Sequence, residues 1–497
     1  MLPRSSSRFF TSLAVLASGA LLLFLVLALP GPASGRGDAP VVARQFVWDS
    51  DSLWRTLEAS FVRARADGCA DRNAVAARLA TLTARIAALR VARVGPKAPG
   101  LDSLEAGFFA LAPRVAACPS LVGEFAQLYG RMREAVKWQS EDWDVNAIAS
   151  RDRLYRALYG GRAAVEEVML QQPSPTGALL LGHDAPSATA SATPSAESNG
   201  VTIHSGDILV SRGGYPTSAL IARGNDYPGN FSHIALVHVD PAAGAITVIE
   251  AHIETGVAVS TADQYLAEKK LRVMLLRPRA DLPALQRDPM LPHRAATAML
   301  ARASAGHIPY DFEMDYTDPS RLFCSEVASA AYKAAGMELW MGLSTISRDG
   351  LRDWLAAFGV RHFATQEPSD LEYDPQLHVV AEWRDAEALF DDHVDNAVTD
   401  AMLEGADRGE RLGFLWYTLP VARVLKAYSW VRERAGGVGP IPEGMSPAAA
   451  LRNRGYGERH RALAVSVRSA ANEWRRTNGY VPAYWTLVEL ARGAAAR

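Results

Sequence analysis

One cysteine in the sequence has the setting of a nucleophile. "DPSRLFCSEVASAAYKAAG" predicts a helix that begins at Cys324 and ends near Gly336. Unpaired amides and the positive end of the helix dipole at that position favour the thiolate. The same amides, including that of Ser325, are able to hold an oxyanion on an attacked carbonyl. We predict that Cys324 is a nucleophile; a buried, inert structural cysteine is the alternative.

A histidine and a carboxylate are predicted to share one face of a β-hairpin. In "SHIALVHVDPAAGAITVIEAHI", pairing of Val239 with Ile246 across the turn places His233 opposite His252. Glu250 is then the diagonal neighbour of His233 on the same face. A carboxylate beside an imidazole fixes its tautomer and stabilises its charged form. We predict His233 as a general base oriented by Glu250, with His252 as the rival for that third position.

These residues lie in a region of short strands followed by helices. "GDILVSRG", "SHIALVHVD", "AITVIEAHI" and "LRVMLLRP" are predicted strands, bounded by Gly, Pro or Asp. Helices are predicted at "PHRAATAMLARASAG" and at the cysteine. The fold class predicted from this order is α+β, for residues 201–370. In such a domain we expect the Cys324 sulfur within about 4 Å of an imidazole nitrogen of His233.

Five short motifs occur in a characteristic order: "GDILV", "FSHIALV", "VIEA", "YDFEM" and "FCSEVASAAY". This pattern resembles the circularly permuted NlpC/P60 papain-like hydrolases of the YiiX/YaeF type, which are C92-like peptidases. The resemblance implies a permuted papain-like fold with an antiparallel sheet. It also implies a Cys324, His233 and Glu250 triad. It extends over about 170 of the 497 residues, and the flanking regions resemble no family that we recognise.

Other polar residues near these motifs are auxiliary candidates. Ser325 follows the cysteine, and Tyr310 in "IPYDFEM" is a candidate to donate its hydroxyl to the oxyanion or to line the groove; packing is the alternative for Tyr310. Glu326 in the first helical turn suits the dipole, and we expect it to point away from the sulfur. The eleven histidines have no HExxH-type spacing, so no metal site and no cofactor are predicted.

Helical regions are predicted on both sides of this domain. Apolar periodicity predicts a helical bundle over residues 41–172, and composition predicts a linker over 173–200. Residues 371–497 are predicted to be a second helical region. These two regions are candidate spacers or protein-binding surfaces. Within the second, "WYTLPVARVLKAYSWVRER" is aromatic and amphipathic; we favour a buried helix, and a helix resting on a membrane surface is the alternative.

The N-terminal 38 residues resemble an export signal. Arg4 and Arg8 precede an uncharged run over residues 9–29, and small residues follow it. The run is also long enough to span a bilayer, so a cleaved signal and an uncleaved inner-membrane anchor both remain open. Either predicts an exported, periplasmic protein, and in that oxidising space Cys69 and Cys118 are candidates to pair. The net charge of −2 gives no indication of nucleic-acid binding.

Taken together, these features predict a cell-envelope cysteine hydrolase. The predicted reaction is cleavage of an amide, such as one in a cell-wall peptide, by nucleophilic attack of Cys324. A lipid-directed thiol acyltransferase or phospholipase is one alternative, because permuted relatives of the same shape resemble such enzymes. A non-catalytic envelope scaffold, in which the helical regions are the working surfaces, is the other.

Overall fold

The computed structural model describes residues 18–29, 44–48, 50–172, 178–181 and 190–497. The basic residues predicted to begin the export signal, the first part of its apolar run and the small residues after that run lie outside these ranges. Within them, residues 18–28 form helix α1. In the part of the chain that the structure describes, no helix is long and apolar enough to cross a membrane.

An all-helical bundle follows. It contains helices α2 Ser50–Asp67, α3 Arg72–Leu89, α4 Pro99–Ala116, α5 Val122–Ser140, α6 Ile148–Leu154 and α7 Gly161–Leu170. Phe108, Phe125 and Tyr129 are fully buried in its core. A disulfide joins Cys69, between α2 and α3, to Cys118 at the end of α4, with 4.9 Å between their Cα atoms. The bundle therefore has its own core and a covalent crosslink over 49 positions.

The central element is an antiparallel sheet of seven strands in the order β1-β11-β8-β4-β5-β6-β7. Its strands are β1 Ala178–Leu181, β4 Ile208–Gly213, β5 His233–Val239, β6 Ile246–His252, β7 Gly256–Thr261, β8 Lys270–Pro278 and β11 Leu377–Arg384. Two smaller sheets pair β2 Ser195–Ser198 with β3 Val201–His204, and β9 Ser344–Thr345 with β10 Ala364–Thr365. Val239 pairs with Ile246 across β5 and β6, so the predicted register is confirmed.

The two faces of this sheet have separate apolar cores because side chains alternate along each strand. Ile234 and Ile249 pack with residues of helices α11 and α12 on one face. Ala235 and Val248 pack with Tyr265 on the other. The helices of this region are α8 Pro216–Arg223, α9 Ala262–Ala267, α10 Pro283–Arg287, α11 Leu291–Ala305, α12 Cys324–Ala334, α13 Asp349–Phe358 and α14 Asp370–Tyr373.

The sheet crosses both boundaries that we predicted for the central domain. Strand β11 lies after residue 370, yet it pairs with β8 inside the sheet. Strand β1 lies within the predicted linker and pairs with β11 at the sheet edge, and β2 also falls within that linker. The reason is long-range pairing: strand β8 needs a second neighbour, and the chain supplies it from a segment about 100 positions away.

The C-terminal region packs helices α15 Ala386–Asp407, α16 Leu419–Arg434, α17 Pro447–Asn478 and α18 Tyr484–Ala495. Val398, Val467 and Leu487 are fully buried in a core that also contains residues of α13. Helix α16 is different, because only Leu419, Pro420, Ala422 and Ser429 of its residues are buried. The preferred prediction of a buried helix for this segment is therefore wrong.

Candidate active site

Cys324 is the first residue of helix α12. The helix begins there because the Glu326 carboxylate turns back and accepts a hydrogen bond from the amide of Phe323 at 2.8 Å, away from the sulfur as predicted. Burial raises the pKa of Glu326 to about 9. The Cys324 residue is only 4% exposed, and its thiol lies 3.8 Å from the carbonyl oxygen of Ser232. The sulfur therefore lies beside the start of strand β5.

The helix dipole does not dominate the thiol. Burial raises the pKa of Cys324 to about 12, and hydrogen bonds from the Ile234 amide and from Ser325 only partly oppose this. The prediction that the position of Cys324 would favour the thiolate is wrong for this conformation. Burial of the sulfur destabilises the thiolate more than the helix dipole stabilises it. A nucleophilic role for this thiol would therefore require a base that removes its proton.

The strongest polar contact of the site joins the two strands of the hairpin. His233 Nε2 lies 2.7 Å from Glu250 Oε2, and His252 Nε2 lies 3.4 Å from Glu250 Oε1. The two imidazole rings are nearly parallel, with centroids 5.7 Å apart. We call Glu250, His233 and His252 the histidine hairpin. The pairing predicted from the register is thus present, and Glu250 contacts both histidines.

The histidine hairpin is partly open to solvent on its imidazole side. The side chains of His233 and His252 are 18% and 28% exposed, whereas that of Glu250 is 1% exposed. Burial alone would raise the pKa of Glu250, but hydrogen bonds and charge from the two histidines hold it well below its usual range. The hydrogen bond to Glu250 raises the pKa of His252. A permanently charged carboxylate therefore supports both imidazoles.

The sulfur and the histidine hairpin approach each other from two faces of the sheet. Glu250 and His233 lie on the same face as Ala235 and Val248, which pack on Tyr265, while helix α12 packs on the opposite face. The bond from the thiol to Ser232 ends one residue before His233. Among the described residues, no hydrogen bond joins the sulfur to the His233 imidazole. The distance of about 4 Å between these groups stays a prediction.

Two tyrosines lie near the sulfur. Burial raises the pKa of Tyr310, and the next largest cause is the charge of Cys324. This puts Tyr310, the predicted auxiliary residue, in the surroundings of the thiol. Burial also raises the pKa of Tyr265, with Glu250 and Cys324 among the further causes. Sequence reasoning missed Tyr265, because its helix α9 is short and its position depends on the β7 strand that precedes it.

A buried acid beside the sulfur was also missed. Glu367 is 4% exposed, and its Oε2 atom has no hydrogen-bond partner among the described residues. Burial and the nearby Asp370 raise the pKa of Glu367 well above its ordinary value. Its charge is among the causes of the raised pKa of Cys324, which places it close to the thiol. No local pattern in the sequence marks this residue, because it lies in an irregular segment before α14.

Acidic side chains surround the open end of the histidine hairpin. Charges on Glu268 and Glu254 contribute to the raised pKa of His252. Glu268 is also paired with Lys270, whose ammonium group lies 2.5 Å from its carboxylate. Within the described ranges, no group of three His, Cys, Asp or Glu side chains is arranged to hold a metal ion. The site therefore offers a thiol, imidazoles and carboxylates for its chemistry.

A further cavity in the described part of the chain lies elsewhere. It has a volume of about 680 Å³, and its walls come from the helical bundle and the C-terminal helices, including Trp54, Tyr159 and Trp485. None of the residues of the histidine hairpin lines it, and neither does Cys324. The thiol and the imidazoles combine a candidate nucleophile with an oriented candidate base, so they and not this cavity form the candidate active site.

In this domain the histidine strand β5 precedes the cysteine helix α12 along the chain. This order is the reverse of that in papain. Residues 202–381 match the model of a family described as permuted papain-like amidase enzyme, YaeF/YiiX, C92 family. This central domain belongs to the C92 family. Neither the curated proteins nor the solved structures contain a match to the chain. The match ends at residue 381, which lies within strand β11 of the sheet.

Membership in the C92 family agrees with the fold and with the class of chemistry. The sheet is antiparallel, the helices flank it at both ends, and the permuted papain-like architecture predicted from the motifs is confirmed. The protein is an enzyme of the cysteine hydrolase class. The α2–α7 bundle and helices α15–α18 lie outside the matched residues.

Proposed function

We propose that the C92 domain cleaves an amide in the cell envelope with Cys324 as nucleophile, His233 as general base and Glu250 as the residue that orients it. The observation that carries this proposal is the 2.7 Å contact between His233 and Glu250 at the strand end where the sulfur lies. A carboxylate bound to one imidazole nitrogen fixes the tautomer and leaves the other nitrogen free for proton transfer.

The proposed cycle follows from which imidazole nitrogen of His233 is bound by Glu250. Glu250 binds Nε2 of His233, so Nδ1 is the nitrogen that takes the thiol proton. Because the thiol is protonated near neutral pH, the proton leaves as sulfur attacks the carbonyl carbon. The amide of Ser325 and its neighbours at the α12 start stabilise the oxyanion. The C–N bond breaks, His233 protonates the leaving amine, and water hydrolyses the thioester to an acid.

The acidic end of the site supports a substrate that carries a free amine. Glu254 and Glu268 act on His252, and Glu250 lies between the imidazoles. A peptide amide next to a diamino acid presents a cation that these carboxylates attract. This favours a cell-wall peptide over a phospholipid as the substrate, because the surroundings of the thiol are polar and aromatic.

The disulfide supports a location outside the cytoplasm. Disulfides persist in oxidising compartments such as the periplasm and are rare in the cytosol. The Cys69–Cys118 pair joins two turns of the same helical bundle, which is the geometry of a structural crosslink. With the uncharged run of residues 9–29, this supports the proposal that the activity lies on the envelope side of the inner membrane.

The experiment compares the purified protein with Cys324→Ala and His233→Ala on diamino-acid-containing wall peptides. His238→Ala is the matched control, since His238 lies on the same strand but pairs with His293 instead of Glu250. We expect product from wild type and control, and a loss of at least about 10³-fold in kcat/KM for the two site variants. Equal product from wild type and Cys324→Ala would end the proposal.

The same assay distinguishes the proposed amidase from a lipid-directed enzyme and from a non-catalytic scaffold. Acetylation of the substrate's free amine is expected to raise KM, because the cation that meets the acidic side chains is removed. Release of fatty acid from phospholipid vesicles, without cleavage of the peptide, would assign the lipid-directed activity instead. Inactivity of a correctly folded wild type on both substrates would favour the scaffold.

A further inference from the structure

Helix α16 turns its apolar side chains away from the protein. Val421, Val424, Tyr428 and Val431 recur at helical spacing, and each is at least half exposed; Val424 is 60% exposed. Lys426 faces the protein instead, where its ammonium group donates hydrogen bonds to the carbonyls of Pro442 and Glu443. The polarity of this helix is thus inverted relative to a helix that lies on a core in water.

The apolar surface continues into the segment before α16. Leu415, Trp416 and Tyr417 are all more than half exposed, and Trp430 adds a further aromatic ring within α16. We call these residues and the outward stripe of α16 the aromatic platform. A contiguous apolar area of this kind is unusual on the water-exposed surface of a protein and marks a docking surface.

Helix α1 lies directly on the aromatic platform. The Phe24 ring meets Trp416 edge-on, with 6.1 Å between centroids. The guanidinium group of Arg423 donates hydrogen bonds to the carbonyl oxygens of Val26, Leu27 and Leu29 at 2.7–3.2 Å. These carbonyls lie at the C-terminal end of α1, where carbonyl groups lack the amide four residues on; Val26 also accepts a hydrogen bond from the amide of Leu29 at 3.3 Å. Arg423 therefore caps α1 and holds its C-terminal end at α16.

Helix α1 is apolar on every side and exposed on nearly all of them. Leu21, Leu22, Leu23 and Leu25 are each about half exposed or more. They belong to a run of 21 residues without a charge, which is long enough to cross the hydrocarbon core of a bilayer. An all-apolar helix is stable either in a protein core or in lipid, and here no protein core surrounds the described part.

We propose that the aromatic platform rests in the headgroup region of a phospholipid bilayer at the point where an uncleaved α1 emerges from it. Trp and Tyr are the residues enriched at that depth, and Trp416 meets α1 at Phe24, about 6 Å before its C-terminal end, at 1.5 Å per residue. Apart from the inward-facing Lys426, the segment from Arg408 to Arg434 has five basic and two acidic residues, which complements anionic lipid headgroups. Lipid is therefore the occupant that fits both the apolar stripe and its charged rim.

The test measures how deeply two matched valine positions lie in a lipid bilayer. Val424→Cys on α16 and Val465→Cys on α17 are each made in the full-length Cys324→Ala protein and labelled with a nitrobenzoxadiazole fluorophore. Val465 is 70% exposed. It lies 16 positions, roughly 24 Å along the helix, beyond Ala449 in the first turn of α17. The proteins are reconstituted in vesicles of phosphatidylcholine and phosphatidylglycerol, with and without doxyl-labelled lipid.

We expect doxyl lipid to quench the probe at position 424 at least about twofold and iodide in the buffer to leave it unaffected. The probe at position 465 should respond in the opposite way. Iodide quenching at both positions would overturn the proposal. Protection from both quenchers that grows with the protein-to-lipid ratio would show that a second copy covers the platform, and would overturn it equally. None of these outcomes depends on hydrolase activity.

Discussion

Two regions of the molecule bury carboxylates, and they pair them with different cations. In the histidine hairpin, Glu250 contacts two imidazoles. Between the helical bundle and the sheet, buried acids contact mainly guanidinium groups, and Glu166 also lies 3.4 Å from His393 Nε2. We call the second region the arginine seam: it comprises Arg133, Arg162 and Arg272 with Glu166, Glu372, Glu382 and Asp392. All of its members are less than 9% exposed.

The difference between the partners separates a structural role from a catalytic one. Arginine carries its charge at every accessible pH, so the seam is a permanent set of charge-assisted hydrogen bonds between distant parts of the chain. Arg162, for example, binds Glu372 across 210 positions. Imidazoles gain and lose a proton near neutral pH, so the histidine hairpin is able to accept and return one. Burial of a carboxylate alone therefore does not mark a catalytic site.

Of the substitutions that test this comparison, a change at Glu250 is expected to have the largest effect on activity. Glu250→Gln keeps the shape of the side chain but removes the charge that orients His233. We expect kcat/KM of the folded protein to fall on the order of 10³- to 10⁴-fold. The assay is hydrolysis of the wall peptide. Asp240→Asn at the opposite end of the same hairpin is the control and should retain activity.

The second effect is on stability, at the arginine seam. Arg162→Met leaves the buried Glu372 carboxylate without its guanidinium partner, which we expect to cost about 3–5 kcal/mol in the free energy of unfolding. Chemical unfolding followed by tryptophan fluorescence measures this. Catalytic activity of the folded fraction should not change.

The double variant Arg162→Met with Glu372→Leu provides the control for that measurement. Removing both charges of a buried pair restores much of the lost stability, because no unpaired charge remains. A double variant as unstable as Arg162→Met would contradict the comparison, since the cost would then lie in packing and not in an unpaired charge.

Local pattern was enough to predict the hairpin and the start of the cysteine helix. Alternation along two strands and a turn with Pro241 and Gly244 fixed the neighbours of His233, because pairing across a short turn allows few registers. The start of α12 at Cys324 followed from its apolar stripe and from Gly336, whose φ is 89° at the helix end.

Features that depend on distant segments escaped prediction. The partner of strand β8 lies past the predicted domain end, and Arg133 finds Glu382 across 249 positions, for which no local pattern exists. The burial of Cys324 depends on how α12 packs on the sheet, so the helix position alone gave the wrong direction for its pKa. For α16, the same amphipathic pattern fits a core or a membrane, and only the structure showed which face is outside.

A third prediction concerns which neighbour of Glu250 is essential. His252→Asn removes the longer of the two imidazole contacts and keeps a polar side chain of similar size. We expect less than about a tenfold fall in kcat/KM, because His233 and its shorter bond to Glu250 remain. A loss as large as that of Glu250→Gln would make His252 the third member of the triad.

The smallest expected effect is the pH dependence of stability. The pKa of Glu250 is lowered on folding, so its stabilisation is present above the ordinary carboxyl pKa and is lost as pH falls through its lowered value. The pKa of His252 is raised, so its stabilisation is complete below the ordinary imidazole pKa and is lost as pH rises through its raised value. Glu250 and His252 therefore both contribute fully between the ordinary carboxyl pKa and the ordinary imidazole pKa, a window on the acidic side of neutral.

Thermal unfolding across that window tests whether the histidine hairpin, and not the arginine seam, responds to pH. Between about pH 6 and pH 9 we expect the Tm of wild type to fall by roughly 1–3 °C, because His252 loses its proton and guanidinium groups do not. His252→Asn should lose this component of the pH dependence. If its Tm fell as steeply as that of wild type over this range, another titrating group would be responsible, and the contrast between imidazole and guanidinium partners would not account for the pH response.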